Sequence, residues 1–282
     1  MSISVEEFSK RCQLNAEETD ALRSILANEK IMSMAKEIAE KCFFPAVPEK
    51  APEFPEGDDL CKAWFAACYL AAESAEKHYL RRGYPIELLF DSMTDLGIWL
   101  RNTKRNYGVV GLRTARPWEV SVFNGSVIRF GRLQCNSEHY YSREEDLLDE
   151  NGNVLLKKGD AVINMHIPED GPMDIEECKK SMQRMREFFA KYRPDYQWKG
   201  FLCESWLLDS QLRPMLPPNS NIIKFQDLGY RYNLSESDGT VFRVFGTTPP
   251  EEVKNPTTLQ RNALAFMKAG GKFRSEGLFI KR

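Results

Sequence analysis

The clearest pattern of apolar and polar positions lies within residues 161–209. The apolar run at 162–167 ends at a proline and predicts a strand that is buried on both faces. Apolar residues then recur every three or four positions from Asp174 until Pro194, which predicts a helix that packs on a sheet. A second apolar run at 201–208 predicts a parallel strand, so the segment has the order of a βαβ crossover.

Short capping patterns mark helix starts on both sides of this unit. Asp174 followed by Glu177 predicts a capping box, in which each side chain accepts from a backbone N–H of the other residue. Residues 1–118 have helical periodicity throughout, interrupted by a segment at 43–58 that contains four prolines and predicts an extended connector. The helical patterns there begin at Ser4, Asn15, Lys30, Asp58 and Pro85. We therefore predict an all-helical N-terminal domain.

The periodicity changes after residue 118. Apolar and polar residues alternate from Val120 to Cys135, which predicts strands, and Asn151-Gly152 predicts a hairpin turn before a strand at 154–156. The later patterns predict a short helix at 212–216, an element of undetermined type at 222–228, a strand at 241–245, a capped helix from Thr257 and a strand at 277–280. A second domain built on a sheet is therefore predicted at residues 119–282.

Composition narrows the class of protein. The 282 residues include 39 Lys plus Arg and 41 Asp plus Glu, so no net positive field favours nucleic acid as a partner. Seven cysteines without C-x-x-C spacing are typical of reduced thiols. The sequence has neither a signal peptide pattern nor an apolar run long enough to span a bilayer. We expect a cytoplasmic protein that does not bind membranes, and its oligomeric state is left open.

One of the three histidines is placed where ligands usually bind. His166 ends a predicted buried strand, just before a loop with proline and glycine, although a structural histidine explains this position equally well. A nucleophilic pair of Cys203 with His166 is conceivable, but buried cysteines more often only pack. The zinc, Walker A, G-x-G-x-x-G and G-x-S-x-G patterns are missing, and we predict no dedicated metal site.

Three further side chains can take part in acid–base chemistry. Glu204 lies on the second predicted strand and is interpreted equally well as a base in a cleft or as a carboxylate in a salt bridge. Tyr230 and Tyr232 can donate a proton to a leaving group, although such tyrosines more often only pack. Longer motifs, one of which contains Glu204, indicate these roles more specifically.

Four motifs resemble a known family. They are H-I-P-E-D-G-P-M at 166–173, C-E-S-W-L-L-D-S-Q-L at 203–212, L-P-P-N-S-N-I at 216–222 and T-L-Q-R at 258–261. They resemble bacterial acyltransferase-like proteins that join a helical N-acyltransferase N-terminal domain to a GNAT-like C-terminal domain. The resemblance implies an α+β protein, with the helical domain at 1–118 and a GNAT-like mixed α/β sheet domain at 119–282.

The resemblance also implies an activity and a site. Acetyl-CoA or another acyl-CoA would lie in a gap between the strand of His166 and the strand of Cys203, and its acyl group would pass to the amine of a small molecule. The implied catalytic residues are His166 as the base, Glu204, and Tyr230 as a weaker proton donor, and the implied cofactor contacts are Ile167, Gly171, Cys203 and Ser205. The acceptor and the acyl chain are not specified.

One segment departs from the GNAT pattern. GNAT enzymes usually carry Arg/Gln-x-x-Gly-x-Gly/Ala where this chain reads E-D-G-P-M-D-I-E-E, and these carboxylates are expected to repel a phosphate. The acidic residues therefore either recruit a cationic amine or mark a fold that has lost its CoA site. Two hypotheses remain, an acyl-CoA-dependent N-acyltransferase and a non-catalytic GNAT-like module that binds a small ligand.

Overall fold

The computed structural model describes residues 3–45, 52–236 and 239–282. The chain consists of two compact units, Met1–Ser137 with Pro168–Asp170, and Glu138–Ile167 with Gly171–Arg282. The predicted extended connector at 43–58 includes residues outside the described ranges, so only its two ends are described.

The first unit is helical apart from one small hairpin. Its helices are α1 (Val5–Arg11), α2 (Ala16–Leu26), α3 (Glu29–Ile38) with a π-helical turn (Ala39–Phe43), α4 (Asp58–Arg81), α5 (Ile86–Tyr107) and α6 (Arg116–Phe123). Strands β1 (Val127–Arg129) and β2 (Gln134–Asn136) pair antiparallel. Helix α2 begins with a complete capping box of Asn15 and Glu18, and Gly108 ends α5 in the left-handed region at φ 75°.

The predicted strand that begins at Val120 is wrong in its first part, because Arg116–Phe123 forms helix α6. Pro117 occupies the first turn of this helix, where a proline costs no hydrogen bond. The buried residues Glu119, Val122 and Phe123 follow the spacing of three and four that places side chains on one helix face. Two alternating valines fit the period of a helix as well as that of a strand, so tertiary packing determined that this segment is helical.

The second unit contains the predicted βαβ crossover. Its elements are β3 (Leu147–Leu148), β4 (Val154–Leu156), β5 (Ile163–His166), α7 (Ile175–Tyr192), β6 (Gly200–Ser205), 3₁₀ turns (Trp206–Leu208, Ser210–Met215), α8 (Asn221–Gln226), β7 (Tyr230–Glu236), α9 (Gly239–Phe245), a 3₁₀ turn (Pro250–Glu252), α10 (Thr258–Lys268) and β8 (Arg274–Lys281). Strands β5 and β6 are parallel, as predicted, and the order within this unit is β5-β6-β8-β7. The predicted fold class, a helical N-terminal region followed by a mixed sheet with helices, is confirmed.

Residues that are paired across neighbouring strands point to the same face of a sheet. One face carries a cluster in which Leu202 and Phe279 pack with Tyr141, and the β3–β4 hairpin adds Leu147 and Leu156 to it. On the other face, the guanidinium of Arg186 in α7 lies 4.8 Å from the ring centroid of Phe201. Both faces of β6 are therefore covered, which explains its nearly continuous apolar sequence.

The strand predicted at 241–245 is also wrong, because Gly239–Phe245 is helix α9. Val241, Val244 and Phe245 pack on a cluster with Ala263 of α10 and Phe273, and a helix aligns them on one side. Tertiary packing here overrides the strand preference of β-branched residues. The undetermined element at 222–228 is the short helix α8, and the last strand is confirmed as β8. Among the described residues, no helix is long and apolar enough to cross a membrane.

Candidate active site

The site lies where the two parallel strands of the second unit stop pairing. Their ladder joins Ile163 to Phe201, Asn164 to Leu202 and Met165 to Cys203. Strand β5 continues by one residue to His166, and β6 continues to Ser205 while it remains paired with β8. His166 and Glu204 therefore stand beyond the last pair of the parallel ladder, at the strand ends where ligands of α/β folds bind.

The register of the sheet decides which predicted residues share a face. Asn164 pairs with Leu202, Leu202 with Phe279, and Phe279 with Tyr230. The next row of the same face joins Glu204 to Gly277 and Gly277 to Tyr232. Because alternate residues of a strand share a face, His166 lies on the face of Asn164. The structure thus brings the three predicted catalytic residues, His166, Glu204 and Tyr230, onto one face.

His166 is kept in its neutral form by its surroundings. Its imidazole is half-buried, and its Nε2 lies 3.4 Å from Nδ2 of Asn164. Burial, followed by the nearby His139, lowers the pKa of His166 to about 4. The ring is therefore unprotonated at neutral pH and able to accept a proton.

A second imidazole, His139, is held beside the first through its backbone. Its N–H donates to the hydroxyl oxygen of Tyr196 at 2.8 Å, and that hydroxyl donates to the carbonyl of His139. Its carbonyl also accepts from the N–H of Val162 at 3.0 Å. Burial lowers the pKa of His139, while the carboxylate of Glu204 raises it by a smaller amount. The segment before β5 thus fixes a second neutral base on this side of the sheet.

Glu204 and Tyr232 are joined across an intervening strand. The hydroxyl of Tyr232 donates to Oε1 of Glu204 at 2.8 Å, although β8 lies between their strands. Burial raises the pKa of Tyr232, and the charge of Glu204 raises it further. Tyr232 therefore stays protonated and acts as a permanent donor to the carboxylate.

The remaining predicted residues lie elsewhere around the strand ends. Cys203 is 1% exposed and points to the opposite face, where Cys178 of α7 is near, so a Cys203/His166 nucleophilic pair is excluded. Burial raises the pKa of Cys203 to about 12, which makes its thiol unreactive. Ser205 caps the following turn, because its Oγ accepts from the N–H of Leu207 at 3.2 Å. Tyr230 packs on the cluster of Leu202 and Phe279.

The two predicted loop contacts follow β5. Ile167 is half-buried and comes directly after the last strand residue, whereas Gly171 is exposed. A Cβ atom built on Gly171 meets no atom within 4 Å, so the backbone there is open on that side. Both residues are thus placed beyond the end of β5.

The carboxylates in the sequence before α7 and in its first turn already have hydrogen-bond or ion-pair partners. Asp174 caps the helix by accepting from the N–H groups of Glu176 at 2.9 Å and Glu177 at 3.0 Å, but Glu177 does not complete the predicted capping box, because it pairs with Lys180. Four ion pairs join Glu169 to Arg105, Asp170 to Arg129, Glu176 to Lys179 and Glu177 to Lys180. These carboxylates therefore repel a phosphate less than the sequence predicted.

Sequence reasoning missed two residues of the site and gave less weight to a third. Asn164 lies two residues before His166, so strand alternation could have placed it on the same face. Gly277 within the last strand could have indicated a close approach of another group. Tyr232 has the same residue type as Tyr230 and lies on the same strand, and only the register of β7 against β8 shows that Tyr232 reaches Glu204.

Comparisons with known proteins agree with this architecture. The model of the N-acyltransferase N-terminal domain matches residues 4–125, and the model of the GNAT-like C-terminal domain matches residues 127–279. No curated protein matches the sequence.

Similar solved structures are acyltransferases. One in complex with decanoyl-CoA is 20% identical with a TM-score of 0.76, and one in complex with decanoyl-CoA and teicoplanin is 20% identical with a TM-score of 0.75. A mutant acyltransferase in complex with octanoyl-CoA is 19% identical with a TM-score of 0.76. Each alignment covers 98% of this chain and 87% of the other. At these identities the likeness establishes a shared fold.

Proposed function

Since this chain belongs to the family that joins an N-acyltransferase N-terminal domain to a GNAT-like C-terminal domain, we propose that it is an acyl-CoA-dependent N-acyltransferase. Its acceptor is the amine of a small molecule. Structures with the same fold hold decanoyl-CoA or octanoyl-CoA, which supports a medium-chain acyl-CoA alongside acetyl-CoA as the donor. The observation that carries the proposal is the neutral His166 beyond the last pair of the parallel ladder.

The proposed reaction transfers one acyl group from sulfur to nitrogen and releases one proton overall. His166 removes a proton from the ammonium group of the acceptor, and the lone pair of the resulting amine attacks the thioester carbonyl. The C–N bond forms and the C–S bond breaks, the nitrogen of the new amide loses its surplus proton, and the thiolate of CoA takes up a proton. The proton that His166 removed from the ammonium is released to solvent, so the overall reaction releases one proton. Tyr230 is the proposed donor of the proton that the thiolate takes up, and its assignment is weaker than that of His166 as the base. The products are an amide and free CoA.

Backbone groups at the end of the ladder are proposed to hold the pantetheine arm. Peptide groups of Ile167 and Ser205 come after the last β5–β6 pair, and they are proposed to bind the amides of the pantetheine arm as an added strand would. Cys203 and Gly171 complete the proposed contacts through their backbone. The residues present fit an extended amide chain better than they fit a pyrophosphate, because Asp174 already bonds the first-turn N–H groups of α7.

That same cap favours the second candidate function. The N–H groups at the start of α7 already donate to Asp174. They therefore provide fewer hydrogen bonds for a pyrophosphate than an uncapped helix start would. A non-catalytic GNAT-like module that binds a small ligand at His166 is therefore the alternative. Calorimetry that detects no heat of binding for acetyl-CoA at millimolar concentration would favour it.

Thiol release from acyl-CoA tests the proposal. Wild-type protein is incubated with acetyl-, octanoyl- or decanoyl-CoA and a panel of primary amines, and free CoA is measured with a thiol reagent. We expect amine-dependent release that falls about 10²-fold or more in His166→Gln, because a positioned base contributes on that order. His78→Gln is the matched control, since His78 lies on α4 of the first unit. Equal rates for wild type and His166→Gln would refute the role of His166.

The pH dependence provides a second readout. With the pKa of His166 at about 4, the free imidazole persists down to weakly acidic pH. The loss of kcat/KM that comes from protonation of His166 is therefore expected near pH 4, below the ordinary histidine range.

A further inference from the structure

We infer that Glu204 binds the ammonium group of the acceptor amine, and that Tyr232 holds the Glu204 carboxylate in position by reaching across Gly277. The inference rests on the proposed acyltransferase function, because it names the residue that recognises the acceptor. It assigns to Glu204 the recognition of a cation, and to Tyr232 and Gly277 the role of positioning residues.

The first argument is the geometry of one row of the sheet. Glu204 pairs with Gly277, and Gly277 pairs with Tyr232, so the two side chains are separated by two strand spacings. Two spacings amount to about 10 Å between the Cα atoms, which only long side chains can bridge. The phenol and the carboxylate do bridge it, with 2.8 Å between the Tyr232 hydroxyl and Oε1 of Glu204.

Gly277 is the reason that this bridge can form. A Cβ atom built on Gly277 would lie 2.0 Å from Cζ and 2.3 Å from Cε1 of Tyr232. The ring of Tyr232 therefore occupies the volume that any other side chain at 277 would fill. A glycine inside a strand normally weakens it, so this position is explained by the close approach of the tyrosine ring.

The charged groups around Glu204 allow its carboxylate to bind a cation. Its side chain is exposed, and within the described ranges no Lys or Arg nitrogen forms an ion pair with it. The titratable and charged groups that face the Glu204–Tyr232 pair are His139, Tyr141 and Arg143, the last with its guanidinium 5.5 Å from the Tyr232 ring centroid. An exposed carboxylate that accepts its hydrogen bond from a neutral hydroxyl is suited to form a charge-assisted hydrogen bond with a cationic ligand.

The neighbouring bases fit an ammonium as the ligand. Glu204 shares its face of the sheet with His166, and its charge acts on His139. A substrate ammonium that binds Glu204 is therefore brought towards two neutral imidazoles that can accept its proton. An anionic acceptor would be repelled by the carboxylate, and a neutral acceptor would gain a weaker hydrogen bond than an ammonium does. The acceptor class is accordingly a primary or secondary amine that is protonated in solution.

The test measures binding of n-butylammonium without acyl-CoA, so it does not depend on turnover. The full-length protein is titrated with n-butylamine hydrochloride at pH 7.5 and constant ionic strength, and the ring proton resonances of His139 and His166 are followed by NMR. Butan-1-ol serves as the neutral probe of the same shape. We expect saturable shifts with n-butylammonium that are absent with butan-1-ol.

Four variants locate the site. In Glu204→Gln we expect the Kd for n-butylammonium to rise about tenfold or more, as for loss of a charge-assisted hydrogen bond. Tyr232→Phe and Gly277→Ala should both weaken binding by a smaller factor, because each breaks the bridge and retains the carboxylate. Glu187→Gln is the matched control, since Glu187 is an exposed glutamate that accepts one bond from Gln183.

The outcomes separate this inference from the proposed function. An unchanged Kd in Glu204→Gln, or equal binding of butan-1-ol, overturns the inference even if thiol release is observed. Binding that depends on Glu204 in a protein that releases no thiol supports the ammonium site and refutes only the acyltransferase. Normal binding in both Tyr232→Phe and Gly277→Ala overturns the positioning role of the bridge.

Discussion

A buried carboxyl pair in the helical unit makes stability depend on pH in a way that one substitution removes. Asp95 of α5 is 2% exposed and accepts from Trp118 Nε1 at 2.7 Å, Gln134 Nε2 at 2.7 Å and Trp99 Nε1 at 2.9 Å. Glu119 of α6 is fully buried, and neither of its oxygens receives a hydrogen bond. Burial raises the pKa of Asp95 and the three donors offset part of that effect, whereas Glu119 accepts no hydrogen bond that would offset its own burial.

The sign of the effect follows from the direction of the pKa shift. Burial, followed by the charge of Asp95, raises the pKa of Glu119 well above 4.5, so the folded state retains a proton that the unfolded state releases. The folded state is therefore favoured most below the ordinary pKa of Glu119 and loses stability as pH rises towards the raised value. Across that interval the contribution of Glu119 to the free energy of unfolding falls by about 1.4 kcal/mol per pH unit.

Glu119→Gln removes the titration and keeps the shape of the side chain. Its amide leaves an additional buried N–H unpaired, which costs about 1–3 kcal/mol at every pH. We therefore expect the variant to have a lower free energy of unfolding than the wild type near pH 4.5. Above that pH, the free energy of unfolding of the variant rises relative to that of the wild type by about 1.4 kcal/mol per pH unit. The test is the change with pH in the difference between the two unfolding free energies, because the cost of the unpaired N–H is the same at every pH.

Urea unfolding followed by tryptophan fluorescence at half-unit steps from pH 4.5 to 6.5 measures this difference. Glu187→Gln is the control, because Glu187 is exposed and its substitution should leave the pH dependence as in the wild type. Titrations of distant groups cancel when the variant is subtracted from the wild type at each pH. The slope that remains belongs to Glu119 together with Asp95, whose pKa burial also raises. A difference in unfolding free energy that stays constant over this range would refute a raised pKa for Glu119.

Two further predictions concern the second unit. Asp174→Ala should lower the free energy of unfolding by about 1 kcal/mol in urea titrations because α7 loses its cap, whereas Asp174→Asn should lose only a fraction of that. Equal losses in both variants would contradict capping. Cys203 should resist iodoacetamide at pH 8 in the native protein, as judged by mass spectrometry of its peptide, since the pKa of its thiol is raised to about 12. Rapid native alkylation of Cys203 would contradict its burial.

The sequence alone determined the parts of this protein that depend on neighbours along the chain. The period of apolar residues predicted β5, α7 and β6, because a helix face or a strand face repeats within a few residues. The capping box at Thr257 and Gln260 was equally readable, since its two hydrogen bonds lie within one turn. His166 could be singled out because it ends a buried strand.

Tertiary structure decided everything that depends on strand order and register. Helices α6 and α9 formed where alternating or β-branched residues predicted strands, because a short apolar segment takes the period of the surface on which it packs. The Glu204–Gly277–Tyr232 row joins residues far apart in the sequence, and a shift of one residue in either ladder would turn one side chain to the opposite face. No local pattern contains that register, so the candidate site emerged only from the folded sheet.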